Sequence, residues 1–499
     1  MTLADLLDGV PEIAVHTLRA DVSRDALTAS ADRLAAVLGD LGLSTGAVVA
    51  VMLPNEATTV AALFGVWRAG GVYTPLNPRA ADAELVSQLG ILKPSVVVTS
   101  DQLAGRFADF GLPVITADGL GWSVDRHGSA PDARRFDADV ALLQFTSGTT
   151  GPPKPVPLLH SNVLDLIDRL QAKLRGSRGS GRSSERTPMP NLVPLSLSLW
   201  AGIYQVLFAF RAGSGVVLMD KFAPGEFAAL VKRHQLRSTV LPPAALTMVL
   251  HDESVTDLSP LRIVRSITAP LSPVHARQFM DKFGVLVLNS YGQTELGGEV
   301  VGWTAADARE WGEAKLGSVG RPLPGIDVTI VDNEVLVRTP TTLARRIDPA
   351  FADRLTDDGW FHTGDLGWLD DDGFLWLDGR VSDMINRGGL KVFPGTVEDV
   401  IVAADGVREA AVVGVPDDRL GEVPWAFVVR ADERVTEEDL RAWCRERLTP
   451  YRVPVRFVFV DELPRNDVGK VVKRDLAARA ADLVVIPRQV VNGVVSANR

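Results

Sequence analysis

The chain has 499 residues, 46% of them hydrophobic and 23% charged, a balance that suits a globular protein with large cores. At about 150 residues per domain it has room for roughly three folding units. A formal charge of −10 argues against general nucleic-acid binding, which calls for a basic surface, and a single cysteine, Cys444, excludes an intrachain disulfide and a cysteine-rich metal site. The first residues, Met1 to Asp8, are acidic and amphipathic and lack the basic start of a signal peptide. No apolar run reaches bilayer length, so the sequence points to no membrane span and to the cytoplasm.

In chain order, residues 26–43 carry helical periodicity and end at glycine. A buried strand at 48–53, a helix at 57–70 and strands at 72–76, 96–98 and 114–115 follow. This alternation predicts an α/β fold with a largely parallel sheet. Val140-Ala141-Leu142-Leu143 reads as another buried strand, and the pattern resumes at 216–219, 238–241 and 286–288. From 328 to 338, and again from 366 to 377 around the acidic turn 370–373, apolar and polar residues alternate. That texture predicts antiparallel hairpins or a small barrel. After Gly379-Arg380 a compact α+β unit is expected, with helices at 397–404 and 437–448 and strands at 410–415 and 426–429. Residues 175–187 are rich in Gly, Ser and Arg and read as a solvated linker. The tail after Ala481 has no clear period and is expected to fray. Cys444 reads as structural.

The most informative segment is Gln144-Phe145-Thr146-Ser147-Gly148-Thr149-Thr150-Gly151-Pro152-Pro153-Lys154. Glycines let backbone N–H groups converge on an anion, and the hydroxyls and the lysine add donors, which is chemistry for holding a polyphosphate. It is not a GxxxxGK[ST] loop, because Lys154 does not follow its glycine directly. By itself it reads more readily as a polar turn between strands, and it is the rest of the chain that overturns that reading.

Four further clusters stand in a fixed order. Tyr291-Gly292-Gln293-Thr294-Glu295 follows a buried strand and offers a carboxylate for Mg²⁺. Phe361-His362-Thr363-Gly364-Asp365 offers an acceptor for a ribose diol. Gly379-Arg380-Val381-Ser382-Asp383 sits at the change of texture, as a hinge would. Pro464-Arg465-Asn466-Asp467-Val468-Gly469-Lys470 presents a lysine after a turn. Each is weak by itself.

Together, in this order and at these separations, the five clusters resemble the adenylate-forming superfamily of acyl- and aryl-CoA synthetases, luciferases and adenylation domains, over roughly residues 13–480. The resemblance implies a large N-terminal domain (1–379) of two α/β lobes plus a small β-barrel. It further implies a hinge (380–383) and a small mobile α+β C-terminal domain (384–499). The implied reaction joins a carboxylate to the α-phosphorus of MgATP with loss of pyrophosphate, and a thiol then displaces AMP. Cofactors would be ATP, Mg²⁺ and CoA. By motif, Thr146, Ser147, Gly148, Thr149, Thr150, Gly151 and Lys154 would wrap the β- and γ-phosphates. Tyr291 and Gly292 would line the nucleotide site, and Thr294 would touch the α-phosphate. Glu295 would hold Mg²⁺, and Asp365 and Arg380 would bind the ribose. Lys470 would bridge acyl carboxylate and α-phosphate, offsetting the repulsion of two anions. Gly388 and Gly389 match the glycines lining a pantetheine channel.

This chain departs from the pattern at three points. Ser382 stands at the hinge where Asp or Lys is usual, and Pro155 follows the loop lysine where a glycine is usual. Ser266-Ile267-Thr268-Ala269-Pro270 replaces a segment like Ser-Gly-Gly-Ala-Pro. The substrate pocket is expected to draw on Leu197, Leu199, Trp200, Ile267, Thr268, Ala269, Gly292 and Gly297. Residues 194–202 hold no carboxylate, so an α-ammonium would lack its counter-ion and an amino acid is disfavoured. The expected substrate is an apolar carboxylic acid: fatty, aryl or polycyclic, such as a terpenoid. Two alternatives stay open: adenylation only, with the acyl group passed to a carrier protein or partner enzyme, and a non-catalytic nucleotide-binding relative.

Overall fold

The computed structural model describes all residues except 19, 147–153, 177–188, 340–352, 467–468 and 486–499. The chain divides into two compact units, Met1–Leu377 and Asp378–Arg499.

In the first unit a seven-stranded sheet runs in the order Gly121–Arg126, Val114–Asp118, Val96–Ser100, Val48–Met52, Val72–Pro75, Val140–Thr146, Lys154–Leu159. Its interior strands are parallel and its two edge strands antiparallel. The strand Val48–Met52 explains why the sequence is apolar without alternation. Val49 and Val51 enter one core while Val48, Ala50 and Met52 enter another, so both faces are covered. The helices Arg24–Asp40 and Ala57–Arg68 pack beneath the first core, and at their crossing Gly65 brings the backbones close: a Cβ there would lie 2.9 Å from the Ala31 carbonyl oxygen.

Two further sheets follow. One has the order Asn191–Val193, Val216–Leu218, Ile13–His16, Asp21–Ser23. The other is parallel: Ser238–Leu241, Ile263–Ser266, Leu286–Asn289. A separate core of Phe227, Leu241, Val249, Val264 and Phe279 ties the latter to its helices. The α/β class and the order of these elements agree with the expectation.

The antiparallel texture appears as two small sheets. Tyr291–Gln293, Gly298–Gly302 and Arg321–Pro322 form one. Asp327–Val331, Glu334–Arg338, Phe361–Leu369 and Leu375–Arg380 form the other, in an open sequential order. The acidic turn between the last two strands is held by Asp370, whose carboxylate accepts from Phe374 N, Trp376 Nε1 and Lys315 Nζ.

The second unit is built on the strands Leu390–Val392, Ile385–Arg387, Gly421–Arg430 and Val407–Asp417, with Arg456–Phe459 parallel to Gly421–Arg430. Alternate residues of Gly421–Arg430 feed two cores, Ala426 and Val428 on one face, Trp425, Phe427 and Val429 on the other. Cys444 is buried in the first, which pushes its thiol pKa up to about 11. The helix expected near 397–404 spans Pro394–Val402, because Pro394 takes the first-turn position where its missing N–H costs nothing. The tail expected to fray after Ala481 is helical through Val485. Most of the Gly/Ser/Arg linker lies outside the described residues.

Candidate active site

The strand Leu286–Asn289 delivers the chain into the Tyr291 cluster. Gly292 is required there by close approach: a Cβ would stand 1.9 Å from the carbonyl oxygen of Gly298. Thr294–Leu296 forms a short 3₁₀ turn closed by Gly297 at φ 82°, and Glu295 projects from it. Asp365 is only 6% exposed. Its Oδ2 accepts from Tyr291 Oη at 2.7 Å and from Gln293 Nε2 at 2.6 Å. The structure thus brings together three of the expected residues, Tyr291, Gly292 and Asp365, and adds Gln293, which the sequence reading passed over.

Arg354 was also missed. It donates to the carbonyls of His362 and Thr363, both at 2.8 Å, and reaches Gln293 Oε1 at 3.3 Å and Glu295 Oε1 at 3.4 Å. Nothing local in the sequence marks it, since its partners lie up to 61 positions away.

Thr146 ends its strand directly opposite Lys154, so the pair frames the mouth of the phosphate-type loop. Ser147, Gly148, Thr149, Thr150 and Gly151 lie outside the described residues. Gln144 points inward, with Nε2 near Ser198 O at 3.4 Å, and its buried Oε1 has no hydrogen-bond partner among the described residues.

At the expected substrate wall, Leu197 and Trp200 are buried and Leu199 is half-buried. Trp200 Nε1 donates to Gly297 O at 3.0 Å, which joins two segments expected to line one pocket. Ile267 and Ala269 are half-buried and Thr268 is exposed at φ 76°. A β-branched residue in the left-handed region costs roughly 1–3 kcal/mol, so threonine holds here a conformation natural to the glycine of the related pattern. Arg265 and Glu299 form a 2.6 Å ion pair, 16% and 12% exposed, beside Tyr204. Burial, followed by the charge of Glu299, pushes the Tyr204 hydroxyl pKa up, and its Oη has no partner among the described residues. Gly302 leaves room for the pair, since a Cβ there would fall 2.1 Å from Glu299 Oε1.

In the second unit, Lys470 closes a tight hairpin. Its N–H donates to Asn466 Oδ1 and its carbonyl accepts from Asn466 N, both at 2.9 Å. Gly469 supplies the positive φ, 74°, and Arg465 braces the turn through Gly469 O and Glu409. Gly388 and Gly389, at φ 59° and 89°, form an exposed two-residue turn between Ile385–Arg387 and Leu390–Val392. Arg380 ends its strand, and Ser382 is exposed in the turn Val381–Asp383.

The donor set fits a nucleotide with Mg²⁺. Among the described residues no three His, Cys, Asp or Glu side chains gather as a metal cage. A lone carboxylate such as Glu295 is the protein share that Mg²⁺ takes when phosphate oxygens and water complete its shell. Asp365, buried and acceptor-rich, suits hydroxyl groups.

Known proteins match this chain along most of its length. The AMP-binding enzyme family matches residues 11–342, and the AMP-binding enzyme C-terminal domain matches residues 396–470. 4-Coumarate–CoA ligase 3 from Oryza sativa subsp. japonica is 30% identical over 478 residues, covering 90% of this chain and 85% of its own length. A long-chain-fatty-acid–CoA ligase from Bacillus subtilis (strain 168) is 29% identical, covering 91% and 89%. Among solved structures, ATP-bound MatB from Rhodopseudomonas palustris superposes with a TM-score of 0.83 at 27% identity, covering 97% of this chain and 100% of that one. The amide bond synthetase McbA from Marinactinospora thermotolerans gives 0.81 at 28%, covering 96% and 99%. With the two domain matches taking in the clusters at 144–154, 291–295 and 464–470, the chain belongs to the AMP-binding enzyme family of the adenylate-forming superfamily.

Proposed function

We propose that this protein activates a carboxylic acid with ATP, releasing pyrophosphate, and transfers the acyl group from AMP to CoA as a thioester. The observation that carries the reading is the buried acceptor Asp365, fixed by Tyr291 and Gln293 in the same cluster that projects Glu295. ATP, Mg²⁺ and CoA are the cofactors of the family. In this reading Asp365 accepts from the ribose hydroxyls and Arg380 donates to them, and Thr294 and the loop from Thr146 to Lys154 hold the phosphates. Bound Mg²⁺ supplies positive charge where the phosphates meet the incoming carboxylate. Glu295 holds that charge in register. Lys470 adds a second cation between carboxylate and α-phosphate and keeps them in line, worth about 10²–10³ in rate. Gly388 and Gly389 leave space for the pantetheine arm, and Ser382 is the pivot between the domains 1–379 and 384–499.

The buried side chains of Leu197 and Trp200 favour an acid with an apolar body, fatty, aryl or polycyclic. A second reading keeps the adenylation step and changes the acceptor to a carrier protein or an amine. The likeness to an amide bond synthetase and the unusual Ser382 support it. The test is a product assay with MgATP and a panel of apolar acids, with and without CoA. Acid-dependent pyrophosphate with acyl-CoA supports the first reading. Acyl-adenylate without thioester supports the second. No acid-dependent pyrophosphate from any member of the panel counts against both.

A further inference from the structure

Arg354 occupies a position that none of the sequence clusters contains. Its guanidinium lies 4.4 Å from the centre of the Phe361 ring. Nε and Nη2 donate to two successive carbonyls, His362 O and Thr363 O, on the strand that carries Asp365. The head group is therefore fixed to the backbone before it meets any side chain. From that anchorage Nη2 reaches Gln293 Oε1 and Nη1 reaches Glu295 Oε1. Gln293 continues the path, because its Nε2 donates to Asp365 Oδ2 and to Thr363 O. One connected set of hydrogen bonds therefore runs from Asp365 through Gln293 and Arg354 to Glu295. A planar fork with five donors can serve two carbonyls, an amide oxygen and a carboxylate at once, and an ammonium cannot match that geometry.

We propose that Arg354 is a positioning residue of the nucleotide site. It holds the Glu295 carboxylate in the orientation that receives Mg²⁺ and, through Gln293, makes the metal end and the ribose end of the site a single rigid element. The inference rests on the reading of Glu295 as the metal carboxylate and Asp365 as the ribose acceptor. Repulsion between guanidinium and cation opposes it. Two things offset that repulsion: the carboxylate that Arg354 contacts, and the polyphosphate that arrives with the metal. Removing the partner that orients a metal-binding carboxylate weakens metal affinity by about 10–100-fold.

The experiment compares the full-length protein with Arg354→Ala and Arg354→Lys. ATP binding is measured by titration calorimetry with and without Mg²⁺, and Mn²⁺ binding to the ATP complex by electron paramagnetic resonance. The expected result is a loss of about 10–100-fold in metal-dependent ATP binding for Arg354→Ala, with little change when metal is absent, and little rescue by lysine. An equal loss with and without metal, unchanged binding, or tighter metal binding overturns the proposal. If Arg354→Ala unfolds, Arg354→Lys carries the test by itself, since it keeps the charge and loses the fork: the same metal-dependent loss is expected, and unchanged binding there overturns the proposal equally. A wild-type protein that binds MgATP but activates no acid defeats the functional reading and leaves these binding data to decide the role of Arg354. An active wild type with an unaffected Arg354→Ala defeats the role of Arg354 alone.

Discussion

Asp365 sits on a buried strand with Tyr291 and Gln293 donating to one carboxylate oxygen, whereas Lys470 closes a small turn held by Asn466, Gly469 and Arg465. Asp365 is built into a network of neighbouring strands. Lys470 depends on bonds within a few residues of itself and on the brace from Arg465 to Glu409. In the proposed function the contrast separates two tasks. The nucleotide must be met by groups that do not reorganise, because preorganised dipoles are effective only when they are already in position. A cation that acts at the reacting centre needs reach and charge, and a short turn with a positive-φ glycine supplies a defined base for a long side chain.

The largest expected effect breaks the comparison at the lysine. Lys470→Ala should lower acid-dependent pyrophosphate formation by about 10²–10³ while leaving ATP affinity unchanged. A parallel fall in ATP affinity, measured by calorimetry, would mean that Lys470 belongs to nucleotide binding after all. Next comes Asp365→Ala. It strands two buried donors and removes a charged acceptor, so ATP binding should weaken by about 10–100-fold. If only the rate falls and the affinity holds, the rigid-network view of the first unit is wrong. The smallest effect sharpens the separation. Thr436 caps the helix Glu437–Arg447 in a reciprocal box with Asp439. Thr436→Ala should destabilise the second unit by about 1 kcal/mol in denaturant unfolding and leave ATP binding to the first unit untouched.

The sequence made the strands and motifs legible where the signal is local. The apolar run at 48–53, the glycine-bounded clusters and the capped helix at 437 all follow from neighbours in the chain. It did not reveal the groups that join those motifs. Arg354 meets Glu295 across 59 positions, and Arg265 meets Glu299 across 34. Neither residue has a periodic or turn signature, so only the folded backbone brings them together. The stretch 194–202 lacks charge, and the ion pair beside Tyr204 comes from two other strands. The phosphate-type loop, the clearest motif in the sequence, is described in the structure only at its ends, Thr146 and Lys154.

The strand Gly421–Arg430 divides its side chains between two cores, one on each face of its sheet. A unit of about 120 residues thereby carries its own hydrophobic interior on both sides, as a self-sufficient folding unit does. Its gene segment is therefore a natural cassette. Recombination that cuts near Leu377 would transplant the lysine, its turn and both interiors in one piece.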